Sequence, residues 1–396
     1  MKIAILTSGI LPIPAVQGGA VENLIDYYLE YNNQHHLHDI TVYSVAPPHS
    51  IPKSDTLCTH YHYINMKSLW HRLKRKWFMH THKHGYYNGY IEYFLHEALK
   101  HIKRQHFDAI ILENRPGYAI PVSEVTDARI ILHLHNDFFN SESKDGQAII
   151  QVTDTVITVS DFIKRRVESL LSIQPFTSST KIHTVHNGID LQRFYNATPL
   201  SRASLGFKES DFIVVYSGRI NPDKGVKELI QAFKLLKDCS NIKLMIVGGS
   251  FFGNEQGNDP FVQSLQEEAK ELADVITFTG YIPYEQIPSY LKMVDVAVVP
   301  SMCNEAFALT LIEAMATGLP VIATNVGAIA EVSQGNAIIV NKTSAATEIA
   351  QSILKLYNSP SLRTTMRNAG LTLSKQYAKE RYTKEFFNAI SLKSNN

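Results

Sequence analysis

Short, uninterrupted apolar runs constrain the fold of this chain more than any other feature. KIAIL, DITVYSV, DAIILE, ARIILHLH and TVITVS occur in the first half, and FIVVYSG, IKLMIVGG, VITFTG, VAVVPS and PVIAT in the second. Between them lie segments of helical periodicity, among them AVENLIDYYLEYNNQ, IKRRVESLL, VKELIQAFKLLK and FVQSLQEEAKELA. A strand that is apolar at every position must be covered on both faces, and helical crossovers between parallel strands supply that cover. The alternation predicts an α/β chain with parallel sheets, and the strand count is enough for two.

A length of 396 residues, 44% of them hydrophobic, suits two domains, each with its own core. The segment HNGIDLQRFYNATPLSRASLGFKESD, between His186 and Asp211, has turn chemistry and no sustained period. We place one domain at 1–190, a second at 191–375, and a terminal helical segment at 376–396 that has the option of crossing back to the first. The opening MKIAILTSGILPIPAV has one lysine, prolines inside its apolar run and a Gly-Gly pair where a cleavage site would fall, so it reads as a buried strand and loop. No window of about 18 apolar residues suggests a membrane span. A formal charge of +1 gives no global pull toward nucleic acid or membrane, and three scattered cysteines fit a reducing cytoplasm.

In open parallel sheets, ligands bind beyond the carboxyl ends of the strands. After VVYSG come Arg219 and Lys224, just before a helix that starts near Val226, where two cations and free backbone N–H groups suit a diphosphate. A solvated NPDKG turn is the plain alternative. After LMIVGG comes GGSFFG, beginning at Gly248. After VAVVPS comes NEAFALTLIEAMATGLPVIA, with Glu305 and Glu313 eight positions apart. A helix starting near Phe307 would leave the N–H groups of Ala308 and Leu309 open to an anion. On such a helix the two carboxylates would lie roughly 10 Å apart, toward or beyond the ~5 to 9.5 Å of a pair flanking one glycosidic bond. They would then grip different parts of one elongated ligand, and a nucleotide-sugar has that shape. Either glutamate alone reads as a helix-start acid or a surface carboxylate, but Glu313 lies in an otherwise apolar segment where an unpaired charge is costly.

The stretch from Asn304 resembles the E-x7-E motif of family-4 retaining glycosyltransferases, which have the GT-B fold of two Rossmann-like domains facing across a cleft. VHNGIDLQRF, YSGRINPDKGVKELIQAF, LMIVGG, ITFTGYIP and TNVGAIAEV follow the family's order, so the resemblance covers nearly the whole second domain. It implies that Arg219 and Lys224 bind the donor diphosphate, Glu313 the ribose and Glu305 a sugar hydroxyl, with Tyr281 and Ile282 beside the base. Gly248, Phe307, Ala308 and Leu309 complete the implied donor set. The family usually has glycine at the positions of Ala306, Ala308 and Ala328, and alanine there crowds the sugar side.

In the first domain, Gly18 and Gly19 precede a helix and leave room for close backbone approach, or form a plain flexible loop. The resemblance places them beside the donor diphosphate and the acceptor. His133 and His135 share one face of a strand end. The family has a donor-contacting histidine there that His135 matches, which leaves His133 structural. Glu113, Asn114 and Arg115 read either as acceptor-side residues or as part of a structural salt bridge. LPIPAVQGGAVE, ENRPGY and HLHND resemble the spore-coat-associated and capsule-type subgroup.

Residues 60–107 crowd basic and aromatic side chains. In KSLWHRLKRKWF, Leu69, Trp70, Leu73 and Trp77 share a helical face beside Arg72, Lys74, Arg75 and Lys76. Such a helix either packs its apolar stripe on the sheet or lies on an anionic bilayer. Its histidines lack the acid-flanked i, i+4 pattern of zinc sites, and no nucleic-acid recognition module accompanies it.

The chain contains no Asp-x-Asp triplet, so no metal and no other cofactor is expected; Arg219, Lys224 and helix ends would stabilise the leaving phosphate. The resemblance implies a cytoplasmic, metal-independent, retaining hexosyltransferase. It would move a sugar from a nucleotide-sugar, UDP-linked by preference, to a glycan or lipid-linked acceptor in cell-envelope polysaccharide synthesis, at the inner face of the membrane if peripherally bound. His135, Glu305, Arg219 and Lys224 would carry the chemistry. A Rossmann dehydrogenase is disfavoured because no G-x-G-x-x-G follows the first strand, and a phosphorylase because no cofactor lysine can be placed. A nucleotide-sugar epimerase and a non-catalytic GT-B scaffold or coat protein remain as alternatives.

Overall fold

The computed structural model describes residues 1–47, 55–66, 68–81, 85–171, 179–250 and 259–391. The tail of GGSFFG from Phe251 and the histidines His82 and His84 lie outside them. The chain forms two compact units, Met1–His186 with the segment from Tyr382 on, and Asn187–Arg381. The division falls a few residues before the expected 190/191 boundary, and the terminal segment joins the first unit from Tyr382 rather than from 376.

The first unit is a seven-stranded parallel sheet of β1 (Lys2–Leu6), β2 (Asp39–Val45), β3 (Thr59–Ile64), β4 (Ala109–Glu113), β5 (Arg129–Leu134), β6 (Thr155–Thr158) and β7 (Lys181–Thr184). Their order is β3-β2-β1-β4-β5-β6-β7, so the direction of strand addition reverses between β1 and β4. The register pairs Leu6 with Leu112 and Glu113 with His133, which brings the ends of β1, β4 and β5 level. Helix α1 (Ala20–His35) covers one face, with Leu24, Ile25 and Tyr28 packed with Ile3, Ile5, Val42 and Ile111. Phe386, Phe387 and Ile390 of the terminal helix Lys379–Ser391 join this core, and Phe386 stacks on Tyr28 at 4.4 Å. Burying one such side chain is worth roughly 1.5–3 kcal/mol, so the terminal helix is a structural part of the first unit.

Helix α2 (Leu69–Thr81) packs on α3 (Gly89–Ile102), whose N-terminus is capped by Asn88 accepting from the N–H groups of Tyr90 and Ile91. Only Phe78 of α2 is buried, against Tyr93 and His96 at 5.7 and 4.9 Å. Of the two packing modes open to this helix, burial of the Leu69, Trp70, Leu73 and Trp77 stripe is not the one adopted: all four are exposed. The seam that docks is Ser68, His71, Arg75 and Phe78, roughly the opposite side of the helix.

The second unit is a six-stranded parallel sheet of β8 (Phe212–Ser217), β9 (Ile242–Val247), β10 (Ile276–Gly280), β11 (Val296–Val299), β12 (Val321–Thr324) and β13 (Ile338–Val340). Its order, β10-β9-β8-β11-β12-β13, reverses between β8 and β11. The core gathers Val214, Leu244, Ile246 and Val298 with Leu229, Ile230 and Phe233 from the helix Val226–Leu235. Among the described residues, no helix is long and apolar enough to cross a membrane.

Candidate active site

Each sheet has one point where the strand order reverses, and there the loops after the two central strands diverge and leave a crevice. In the second unit this point falls between β8 and β11, whose loops carry Arg219, Lys224 and Glu305. Glycines bring these loops together. Gly225 has φ +70°, and a Cβ there would sit 1.8 Å from the Pro300 carbonyl oxygen. Gly248 (φ +139°) likewise would place a Cβ 1.9 Å from the carbonyl oxygen of Gly218. The N–H groups of Met302 and Cys303 donate to the Asp223 carbonyl at 2.7 and 3.3 Å, tying the β11 loop to the turn that holds Lys224.

Within this frame, Lys224 Nζ and Ser301 Oγ both donate to Glu305 Oε1, each at 2.5 Å. The Lys224 and Glu305 side chains are only 24% and 13% exposed, so the ion pair is screened less than a surface pair. Arg219 is exposed at the end of β8, and its carbonyl accepts the Tyr216 hydroxyl. On the β9 and β10 side, a Cβ on Gly249 would lie 3.8 Å from the N and Cβ of Tyr281, so the loops bearing Gly248, Tyr281 and Ile282 adjoin.

The helix near the two glutamates starts later than the sequence indicated. It spans Leu309–Ala316, with Ala308 as N-cap at φ 60°, ψ 65°. A left-handed residue cannot continue a helix, and Phe307 is held ring to ring with Tyr377 at 5.5 Å. In the first turn the N–H groups of Leu309 and Thr310 are open to an anion, because the Leu311 N–H already donates to the Ala308 carbonyl at 3.1 Å. Glu305 lies on a loop, not on this helix, so a separation counted in helical rise does not apply to it. Its position comes from Gly327 (φ +56°), where a Cβ would lie 2.2 Å from the Glu305 carbonyl oxygen, and from the Ala328 N–H, which donates to that oxygen at 2.8 Å. Ala328 itself has an ordinary φ of −88°.

Glu313 is on the helix and buried, with Tyr284 Oη donating to its Oε1 at 2.8 Å. Burial pushes its carboxyl up to about 7, more than the Tyr284 hydrogen bond and the Arg193 guanidinium pull it down. Arg193 also sits 5.2 Å over the Tyr284 ring. Tyr284 and Arg193 were not singled out from the sequence, since no local pattern links them to Glu313 so far along the chain; Ser301, only four residues before Glu305, was not singled out either.

In the first unit, Gly18 (φ +75°) and Gly19 (φ +108°) lead into α1. A Cβ on Gly19 would meet Glu22 Oε2 at 2.1 Å, because the Glu22 side chain folds back over the loop. Burial raises the Glu22 carboxyl to about 7, offset in part by its own backbone N–H. Arg115 Nε reaches the Ser8 carbonyl at 3.4 Å and its guanidinium lies 5.0 Å over Tyr87, linking the loops after β1 and β4. Asn114 is left-handed at φ 57°, and its Oδ1 accepts the His135 N–H at 3.1 Å.

Glu113 is fully buried and makes the structural pairing that was one of its two readings. His133 Nδ1 and His135 Nε2 each lie 3.1 Å from its Oε2, and Tyr28 Oη donates to Oε1 at 2.9 Å. Burial alone would raise this carboxyl, but the two imidazoles outweigh it and hold it at about 2. His135 is lowered to about 4, first by burial and then by the neighbouring His133. His133, read as structural, thus shares one carboxylate with His135. The three residues offer ligand atoms within 4.8 Å of one another, a metal-sized grouping. His133 Nε2 and His135 Nδ1, however, are buried without a partner, whereas metal-bound imidazoles almost always anchor their second nitrogen. The donor set fits a hydrogen-bonded carboxylate better than a cation.

Two Rossmann-like units with polar loops gathered at their strand-order reversals define a GT-B protein. Residues 198–372 match the family described as Glycosyl transferases group 1, and residues 30–193 match Glycosyltransferase Family 4. The chain therefore carries, one after the other, the two domains of the group 1 and family 4 glycosyltransferases. It is 26% identical over 379 residues to spore coat protein SA of Bacillus subtilis, covering 92% of each chain. It is 32% identical over 208 residues to the lipopolysaccharide 1,2-N-acetylglucosaminetransferase of Salmonella typhimurium, covering 52% of this chain and 51% of that one. Among solved structures, HepE of Anabaena in complex with UDP and glucose superposes with a TM-score of 0.71 at 20% identity, over 99% of this chain and 100% of that one.

Proposed function

We propose that this enzyme moves a hexose-type sugar from a nucleotide-sugar, UDP-linked, to a hydroxyl of a glycan or lipid-linked acceptor in cell-surface polysaccharide synthesis. Transfer retains the anomeric configuration, needs no metal and takes place in the cytoplasm. The observation that carries the reading is the cluster of Lys224, Ser301 and Glu305 at the β8–β11 reversal, beside a helix N-terminus and the buried Glu313. An anionic diphosphate fits the cations Arg219 and Lys224 and the N–H groups of Leu309 and Thr310. Glu313, a carboxyl poised near neutrality, would accept from the ribose hydroxyls, with the base against Tyr281 and Ile282. Glu305 would hold a sugar hydroxyl. The UDP and glucose bound by HepE support the choice of nucleotide.

In the transfer, the acceptor oxygen bonds to the anomeric carbon on the face that the diphosphate leaves. The anomeric carbon to phosphate-oxygen bond breaks, and the departing phosphate oxygen takes the acceptor proton. Lys224 and Arg219 stabilise the charge that builds on that oxygen. His135 is the proposed donor-contacting histidine, held with His133 at its strand end by Glu113, and the first unit's loops select the acceptor.

The test is a thermal-shift series of the purified protein with UDP, GDP, ADP and dTDP and their sugars, repeated with Glu313→Ala. One nucleotide should stabilise the protein, by about 2.7 kcal/mol at a hundredfold excess over Kd, and the substitution should weaken the effect. If none stabilises it at millimolar concentration, the donor site is refuted and a non-catalytic scaffold becomes the better reading. Turnover persisting in EDTA, with a product of the donor's anomeric configuration by NMR, would establish the metal-independent retaining step.

A further inference from the structure

We propose that α2 is the contact surface of this protein with an anionic lipid bilayer, an inference independent of the donor assignment. The helix is amphipathic in an unusual sense, because its docked seam is narrow and its apolar stripe faces away from the protein. Leu69, Trp70, Leu73 and Trp77 are 76, 63, 61 and 68% exposed. At about 100° per residue they fall within one arc of roughly 100°, opposite the seam that packs on α3. Five of the twelve exposed large apolar residues among those described, these four and Met79, lie on this one helix. Scattered single exposures are ordinary in folded proteins, whereas a contiguous stripe of this kind marks a surface that is covered by something.

Charge identifies the cover. LWHRLKRKWFMHT has no acidic residue and four cations. Arg72 and Lys76 border the stripe on one side and Lys74 on the other, so three positive charges bracket the two tryptophans. Arg75 differs, because its guanidinium lies 5.1 Å over Tyr90 of α3 and helps to fix the helix to the domain. Lys74 Nζ lies 5.4 Å over the Trp70 ring, which leaves the lysine stem free to lie along the stripe with its head at the rim. A protein partner would bury the aromatic stripe, yet would need acidic groups along both borders to meet the cations. An anionic headgroup layer does so at any rotation, while indole rings and leucines enter the boundary with the acyl chains.

The chain's only two tryptophans are Trp70 and Trp77, so tryptophan emission, excited selectively over tyrosine, reports on this stripe alone. Full-length protein is titrated with vesicles of phosphatidylcholine alone or mixed with phosphatidylglycerol, with and without brominated acyl chains. On the mixed vesicles the emission should shift to shorter wavelength and be quenched by the brominated lipid. The triple variant Arg72→Gln, Lys74→Gln, Lys76→Gln should partition on the order of a hundredfold more weakly, as three lost headgroup attractions require. Trp70→Ser with Trp77→Ser should lose co-flotation with vesicles while keeping the parent circular dichroism and melting profile. Unchanged emission on anionic vesicles at low salt would overturn the proposal. So would equal binding to neutral vesicles, or a shift that follows protein concentration without lipid, which would mean that a second copy covers the stripe.

Discussion

Glu313 offers a direct check on the donor half of the site. Its carboxyl is raised to about 7 from 4.5, chiefly by burial, so the folded protein holds this proton more tightly than the unfolded chain. Between those two values the folded state carries the proton and the unfolded state has released it. Stability is therefore fully present below about pH 4.5 and is lost as pH rises through 7. At 1.36 kcal/mol per pKa unit, the loss amounts to about 3 kcal/mol. Glu313→Gln abolishes this titration, keeps an acceptor for Tyr284 Oη and leaves every other titrating group in place. The difference between the two proteins thus isolates Glu313, even though Glu22 titrates in the same range. Relative to the wild type, the glutamine variant should gain on the order of 6–12 °C in Tm between pH 5 and 8, for a unit of this size. Thermal unfolding followed at four pH values in that span is sufficient. A difference that stays flat across it would show that the carboxyl is solvated or fully paired. Both the raised value and the idea of a poised ribose ligand would then fail together.

The loop glycines make graded predictions. Gly225→Ala combines a left-handed backbone with a Cβ 1.8 Å from the Pro300 carbonyl oxygen, and should cost about 3 kcal/mol or more. Gly206→Ala, at φ +81° with nothing within 4 Å, should cost only about 1 kcal/mol; equal losses in urea unfolding would refute the argument from close approach. Ala308→Gly relieves a left-handed alanine worth ~1–2 kcal/mol of strain against a glycine entropy cost of ~0.4–1, so Tm should rise by up to roughly 6 °C and not fall. Glu113→Gln breaks a buried network and should cost ~3–5 kcal/mol at pH 7. Because the Glu113 carboxyl is held at about 2, below its ordinary 4.5, its contribution is present above pH 4.5 and lost on the way down to 2. The deficit of the variant should accordingly shrink in acid, as read by urea unfolding at pH 3 and 7.

Much of this architecture is local in origin and was legible in the sequence. Uninterrupted runs such as FIVVYS and IKLMIV could only be doubly covered strands, and they form β8 and the adjacent β9. The loops bearing Arg219, Lys224 and Glu305 follow the two central strands, as a parallel sheet with a reversal of order requires. Helix α2 was also legible as a helix, since periodicity fixes which residues share a face. It does not fix which face is turned inward. That choice depends on Tyr90, Tyr93 and His96 of α3, which meet Arg75 and Phe78 and leave the tryptophans outside.

The site itself was legible in its residues but not in its geometry, and Glu305 shows why. A count of eight positions to Glu313 suggests a helix, because a helix is the only local structure in which such a count translates directly into distance. The distance is set instead by contacts within its own loop and from two loops remote in sequence. The Gly327 and Ala328 turn presses on the Glu305 backbone, Lys224 and Ser301 hold its carboxylate, and a left-handed Ala308 delays the helix until Leu309. These contacts come from three loops, those after β8, β11 and β12, and each loop is placed by its strand's position in the sheet. The E-x7-E spacing therefore has meaning only within this fold. Transplanted onto a continuous helix, the same spacing would bring no lysine to either carboxylate.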